Sequence, residues 1–129
     1  MTVFEAFHTV ISEDLDDLMH VNNVRYVQWV QDLAKAHWEA ATTPLQQKDN
    51  IWVLLSHRID YKSSAKMSDK IHLKTYVTRS KGVTSTRIVE MYHKEDRKLI
   101  VKSETIWCLL DVLTKKPKRI TSEIADVFR

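Results

Sequence analysis

The apolar residues of this chain change their spacing once. Val27, Val30, Ala34, Trp38 and Ala41 recur at helical intervals, with Leu33 and Ala36 widening the stripe. Beyond Pro44 the period drops to two. A stretch of backbone can satisfy only one of these periods, because side chains turn by about 100° per residue in a helix and alternate across a strand. One long helix is therefore expected from Asn22 or Asn23, either of which can cap a free N–H, to about Ala41, with Pro44 ending any continuation. Phe4 to Ile11 reads as a first strand of mixed alternation.

Four antiparallel strands are expected after the helix. Ile51 to Tyr61 is apolar first and then alternates. In the next run Ile71, Leu73, Thr75 and Val77 face one way, and Lys70, His72, Lys74 and Tyr76 the other. Ser80-Lys81-Gly82 makes a tight hairpin in which Gly82 is free to take positive φ. Val83 to His93 follows, then a turn at Glu95–Lys98, then a long strand from Leu99 to Leu113. Thr114-Lys115-Lys116-Pro117 breaks that strand, and Thr121 to Phe128 reads as a short closing helix capped by Thr121 or Ser122. One long helix against one antiparallel sheet is an α+β layer arrangement. The helix is apolar around much of its circumference, so a curved sheet is expected to wrap it.

Length and composition narrow the function classes. A chain of 129 residues fits one domain spanning 1–129. With 43% hydrophobic and 29% charged residues it has the balance of a folded globular protein rather than a disordered one. No apolar run is long enough for a membrane span, and Met1–Glu5 lacks a basic region and an apolar signal core, so a cytoplasmic location is expected. The lone Cys108 permits no internal disulfide and no Cys-based zinc site, and the six histidines show no HExxH spacing. The single glycine, Gly82, removes motif support for P-loop, dinucleotide-binding and GxSxG readings, each of which needs several. No cofactor is expected.

Charge is uneven. Residues 1–60 hold 4 Lys+Arg against 9 Asp+Glu, and residues 61–129 hold 16 against 8. The basic half suits an anionic partner, and it equally suits a solvated sheet face.

Chemistry concentrates just before the helix, in Asp14-Leu15-Asp16-Asp17-Leu18-Met19-His20-Val21-Asn22-Asn23. Carboxylates and a histidine there lie beside the positive end of a helix, where backbone N–H groups are free to polarise a carbonyl. This stretch, continued by Val24-Arg25-Tyr26, resembles the pattern of hotdog-fold acyl-CoA thioesterases of the 4-hydroxybenzoyl-CoA thioesterase type: an Asp, a second Asp two residues on, then Gly-His-Val-Asn-Asn, then Tyr. The resemblance covers nearly the whole chain and extends to the closing Leu110–Ile120 segment. It implies a long central helix wrapped by a curved antiparallel sheet, and a homodimer or homotetramer with the active site between subunits. It implies that Asp16 attacks the thioester carbonyl or deprotonates a water that does, and that the backbone N–H at Asn23 holds the oxyanion. His20 is expected to orient the loop, with acid–base action near neutral pH as its other reading. Asp14 and Asp17 are expected to be solvated or to stabilise the helix end. Arg79 and Lys81, and Lys115, Lys116, Lys118 and Arg119, are the candidates for holding the phosphates of coenzyme A. Met19 stands where the family has its glycine and is expected to narrow or reshape the acyl pocket.

The expected activity is hydrolysis of an acyl-CoA, or of an acyl group on a carrier protein, to free acid and thiol. The alternative is a non-catalytic acyl-CoA binding module that has lost activity through Met19. A nucleic-acid binder would need aromatics interleaved with Lys and Arg on an exposed face; only Tyr76 and Tyr92 qualify, and the acidic first half opposes that reading.

Overall fold

The computed structural model describes residues 1–129. Strand β1 (Phe4–Thr9) leads through a short 3-10 turn (Ser12–Asp14) to helix α1 (Asn23–Ala41) and a second helix, α2 (Pro44–Asp49). Strands β2 (Asn50–Tyr61), β3 (Lys70–Lys81), β4 (Thr84–His93) and β5 (Leu99–Asp111) follow, and α3 (Ser122–Asp126) closes the chain. The five strands make one sheet in the order β1-β3-β4-β5-β2, with every pairing antiparallel. The α+β arrangement is the expected one. Three register shifts, at Leu54/Ser56, Val77/Arg79 and Met91/Tyr92, sit within long strands. Such bulges bend a strand and increase its twist, which curves the sheet around α1.

The helix begins as its sequence dictates. Asn22 is the cap, its side chain accepting from the Val24 N–H at 3.0 Å. Its buried face is Tyr26, Val30, Leu33, Ala34 and His37. The expected stripe is thus rotated: Val27, Trp38 and Ala41 are only half-buried, while a tyrosine and a histidine lie inside. Val30 packs with Ile71, Leu73, Val89, Met91, Ile100 and Val101, so the core lies between α1 and the middle strands.

Pro44 does stop α1, but it also starts α2. Thr43 and Gln46 form a reciprocal capping box around it, and proline's fixed φ suits the first helical position. This short helix was not expected. The first strand ends at Thr9 and the last at Asp111, each two residues early. Gly82, with φ +64°, turns the β3–β4 hairpin. Thr121 caps α3 by accepting from the Ile124 N–H. No helix is long and apolar enough to cross a membrane.

Candidate active site

The segment between the 3-10 turn and α1 folds back on itself. Leu15 bridges Val21, the Asp16 N–H donates to the His20 carbonyl at 2.8 Å, and the Met19 N–H donates to the Asp16 carbonyl at 3.0 Å. One oxygen of Asp16, Oδ1, accepts from the N–H groups of Leu18 (2.9 Å) and His20 (3.2 Å). The same carboxylate therefore closes the loop with one oxygen and leaves Oδ2 uncommitted. Val21 donates to the Ala65 carbonyl, and His20 bridges Lys66, which ties the loop to the β2–β3 connection.

Asp14 is not solvated. It is buried, with Oδ2 at 2.8 Å from His8 Nε2 and 3.0 Å from the Ile11 nitrogen, and Oδ1 at 3.7 Å from Arg25 Nε. Burial pushes its carboxyl up, and His8, the Ile11 N–H and Arg25 together outweigh that, leaving it below its ordinary value. Its carbonyl accepts from the Asn22 N–H at 2.8 Å. Asp14 is thus the internal anchor of the loop, and Asp16 is the carboxylate facing outward.

Met19 takes the left-handed conformation, with φ +63°. The backbone keeps the shape for which a glycine is suited. The side chain, 63% exposed, points to solvent and is not among the residues that line the cavity beside Asp16. A left-handed L-residue costs roughly 1–2 kcal/mol, and glycine returns part of that as unfolded-chain entropy. Met19→Gly is therefore expected to stabilise the fold by about 0.5–1 kcal/mol, read as a higher urea midpoint with an unchanged slope.

Asp16, His20 and Asn23 come together at a cavity of about 270 Å³. Asn23 is the first residue of α1, so its N–H has no partner within the helix. Tyr26 lies at the cavity too. Its hydroxyl accepts from the Ala65 N–H at 3.2 Å, and burial raises its pKa to about 12, so it stays protonated. The opposite wall is Tyr61, Lys62, Ser63 and Ser64, from the end of β2 and the loop beyond. Sequence reasoning did not single out these four. The Ser63-Ser64 pair marks a loop, but only the chain's return across the sheet sets it opposite Asp16.

The basic candidates lie elsewhere. Thr9 pairs Lys70, which puts the Asp16 loop near the start of β3, while Arg79 and Lys81 are at its other end, about 30 Å away along the strand. Lys115 and Lys116 follow β5 at Asp111, which pairs Asn50 at the start of β2. Ile120 donates to the Gly82 carbonyl, joining the C-terminal segment to the hairpin. These four cations thus share one pole of the sheet, and the Asp16 cavity occupies the other. No group of three His, Cys, Asp or Glu side chains is arranged to hold a metal ion.

A larger cavity, of about 560 Å³, opens between α1 and the β2–β5 side of the sheet. Its walls include Trp38, Trp52 and Trp107, and Arg87 lies within it.

Residues 10–128 match the profile of the thioesterase-like superfamily. No curated protein matches by sequence. Among solved structures, a 1,4-dihydroxy-2-naphthoyl-CoA thioesterase from Synechocystis superposes with a TM-score of 0.85 at 15% identity, over 98% of this chain and 96% of that one. A Staphylococcus aureus protein solved in complex with CoA gives 0.88 at 16% identity, over 98% and 81%. A 4-hydroxybenzoyl-CoA thioesterase complexed with 4-hydroxybenzoyl-CoA gives 0.86 at 9% identity, over 98% and 99%. At such identities the superpositions speak for the fold, and the profile speaks for the family: the chain belongs to the thioesterase-like superfamily and has the hotdog fold.

Proposed function

We propose that the protein hydrolyses an acyl-CoA, or an acyl group on a carrier protein, to free acid and thiol, with Asp16 as base or nucleophile. The observation that carries this reading is the division of labour at Asp16. Oδ1 is held by two backbone N–H groups, Oδ2 has no partner, and the unpaired Asn23 N–H shares the same cavity. In the proposed reaction the thioester carbonyl oxygen lies on the Asn23 N–H. Charge developing on it is then stabilised by a donor already in place, with the positive end of α1 behind it. Asp16 either deprotonates the water that adds to the carbonyl carbon, or adds to that carbon itself and forms an anhydride that water then cleaves. In both routes the C–S bond breaks, the thiolate takes up a proton and the free acid is released. Buried Asp14 and the loop hydrogen bonds keep Asp16 aimed, and His20 holds the loop through its backbone. Thiol release from short, long and aromatic acyl-CoAs, with and without the Asp16→Asn substitution, tests this assignment; a panel that releases no thiol would count against hydrolysis of CoA esters.

The working form is proposed to be a dimer built on β2. This twelve-residue strand lies at an edge of the sheet, with Val53 39% and Leu55 57% exposed. An unpaired strand of that length is a template for another strand. Two-fold antiparallel pairing sets the Tyr61 end of one β2 beside the Asn50 end of the other. Each Asp16 cavity then adjoins the partner's larger cavity and the partner's pole of Arg79, Lys81, Lys115 and Lys116, where the phosphates of coenzyme A would be held. Leu55→Lys places like charges near each other at the centre of such an interface. It is expected to shift sedimentation to the monomer and to abolish turnover together with it; a monomeric variant with full activity would count against the shared site.

A further inference from the structure

The residue least explained by the hydrolysis reading is Arg87. It sits on β4, where Ser85, Arg87, Val89 and Met91 alternate inward beneath α1. It is only 5% exposed, in a position where an apolar side chain would complete the core. Nη1 makes both of its hydrogen bonds, to His37 Nδ1 and Thr75 Oγ1, each at 2.9 Å. Its Cζ lies 5.1 Å from the Phe128 ring centroid. The chain's ion pairs all lie elsewhere, so no carboxylate reaches this guanidinium. Arginine presents five donors in a planar fork suited to a carboxylate, and here the donors on Nε and Nη2 have no acceptor in the chain.

Its partners do not neutralise it. Arg87 can only donate, so His37 Nδ1 must accept, and the histidine is neutral with its proton on Nε2. Burial, then the Arg87 charge, lowers the His37 pKa to about 4, and burial lowers that of Arg87 to about 10. The pair is therefore one positive charge near neutral pH. A buried charge without a counter-ion is unfavourable, and a bound anion would relieve it.

The cavity gives such an anion a place. Trp38 stands edge-on to Trp52 at 5.8 Å, and Phe128 lies 6.0 Å from Trp38. The Trp107 indole N–H is already satisfied by Thr105 Oγ1, so that wall presents its apolar ring. Asp32 and Lys35, both exposed, also line the cavity; Asp32 accepts from Gln28 and Lys35 pairs loosely with Glu39, so the one buried charge among the lining residues is that of Arg87. Aromatic walls and one buried cation suit a planar apolar group ending in an anion.

We propose that this cavity binds the acyl group of the substrate and that the acyl group carries a carboxylate at the end remote from the thioester, with Arg87 as its counter-ion. This rests on the hydrolysis reading and on the proposed dimer, which sets the cavity beside the Asp16 of the partner subunit. The reaction itself is unchanged: water adds to the acyl carbon, the thiol leaves, and the product is a dicarboxylic acid.

Two measurements on the purified protein separate this proposal from the reading beneath it. Binding is compared by calorimetry for benzoate and its neutral isostere benzamide, with no chemistry involved. Turnover is compared for two CoA esters matched in size, one ending in a carboxylate and one in a methyl group. The wild-type chain is expected to bind benzoate and not benzamide, and to prefer the carboxylate ester by on the order of 10²-fold in kcat/KM. Arg87→Met is expected to lose both preferences, and Arg87→Lys to keep part of them; the methionine removes a buried unpaired charge and also leaves the acceptor His37 Nδ1 without its donor, two effects of opposite sign on stability. Equal binding of benzoate and benzamide, or faster turnover of the methyl ester, overturns the proposal and leaves the hydrolysis reading standing. Selective benzoate binding without turnover of either ester upholds the anion site and counts against hydrolysis of CoA esters. The wild-type comparisons decide the matter even if neither variant folds.

Discussion

Asp16→Asn is expected to lower kcat by about 10²–10⁴-fold, the usual contribution of a positioned acid–base group. The substitution is informative because asparagine keeps an oxygen where Oδ1 accepts from the Leu18 and His20 N–H groups. The loop should therefore hold, and the urea midpoint should change little. What is lost is the charge on the oxygen that faces the cavity. KM should change far less than kcat, because the proposed phosphate contacts are made by other residues, on the partner subunit. Asp16→Ala removes the loop hydrogen bonds as well, so it should lose stability in addition to rate. A variant Asp16→Asn that kept more than about a tenth of the wild-type kcat would remove Asp16 from the chemistry. Asp14→Asn offers the contrast: it weakens a buried anchor to His8 and Arg25, so its main effect should be on stability.

The fold is expected to lose about 3 kcal/mol of stability through His37 as pH falls from about 6.5 to about 4. In the unfolded chain this histidine takes up its proton near the ordinary value of 6.5; in the folded chain it does so only near 4. Between those values the unfolded state holds more protons, so lowering the pH favours unfolding. Above the window both states are neutral and His37 contributes no slope. The cause is structural: His37 is 2% exposed, stacked on Phe4, edge-on to Phe128 and hydrogen-bonded to a cation. His57, whose pKa burial also lowers, adds in the same direction. The check is urea unfolding at about pH 7 and about pH 4.5 for the wild type and for His37→Gln, which can still accept from Arg87 but cannot titrate in this range. The wild type should lose more midpoint on acidification than the variant; equal losses would falsify the assignment.

How much of this was legible in the residues follows from how far apart the cooperating groups lie. The Asn22 cap, the Thr121 cap and the Gly82 turn each depend on atoms within a few residues, so local chemistry set them. The α1 boundaries and the four later strands followed from the spacing of apolar residues. The left-handed turn at Met19 was legible only as a departure from a family pattern. Its outward side chain was not, because φ orients the side chain only once the loop is docked on Ala65. Tyr26 was legible as a packing residue of the helix; the burial of His37 was missed because a histidine counts as polar in a periodicity reading, yet it lies inside with a hydrogen-bond partner on β4.

By itself the sequence determined the element types, the order helix-then-sheet and the loop that carries Asp16, since each rests on backbone geometry, hydrophobic period or short-range capping. The tertiary structure alone decided the strand order, the edge position of β2, the placement of Ser63 and Ser64 opposite Asp16, and the burial of Arg87 against His37 without a counter-charge. Those are contacts between residues tens of positions apart. No local preference specifies them, and they exist only once a whole sheet has chosen its register around the helix.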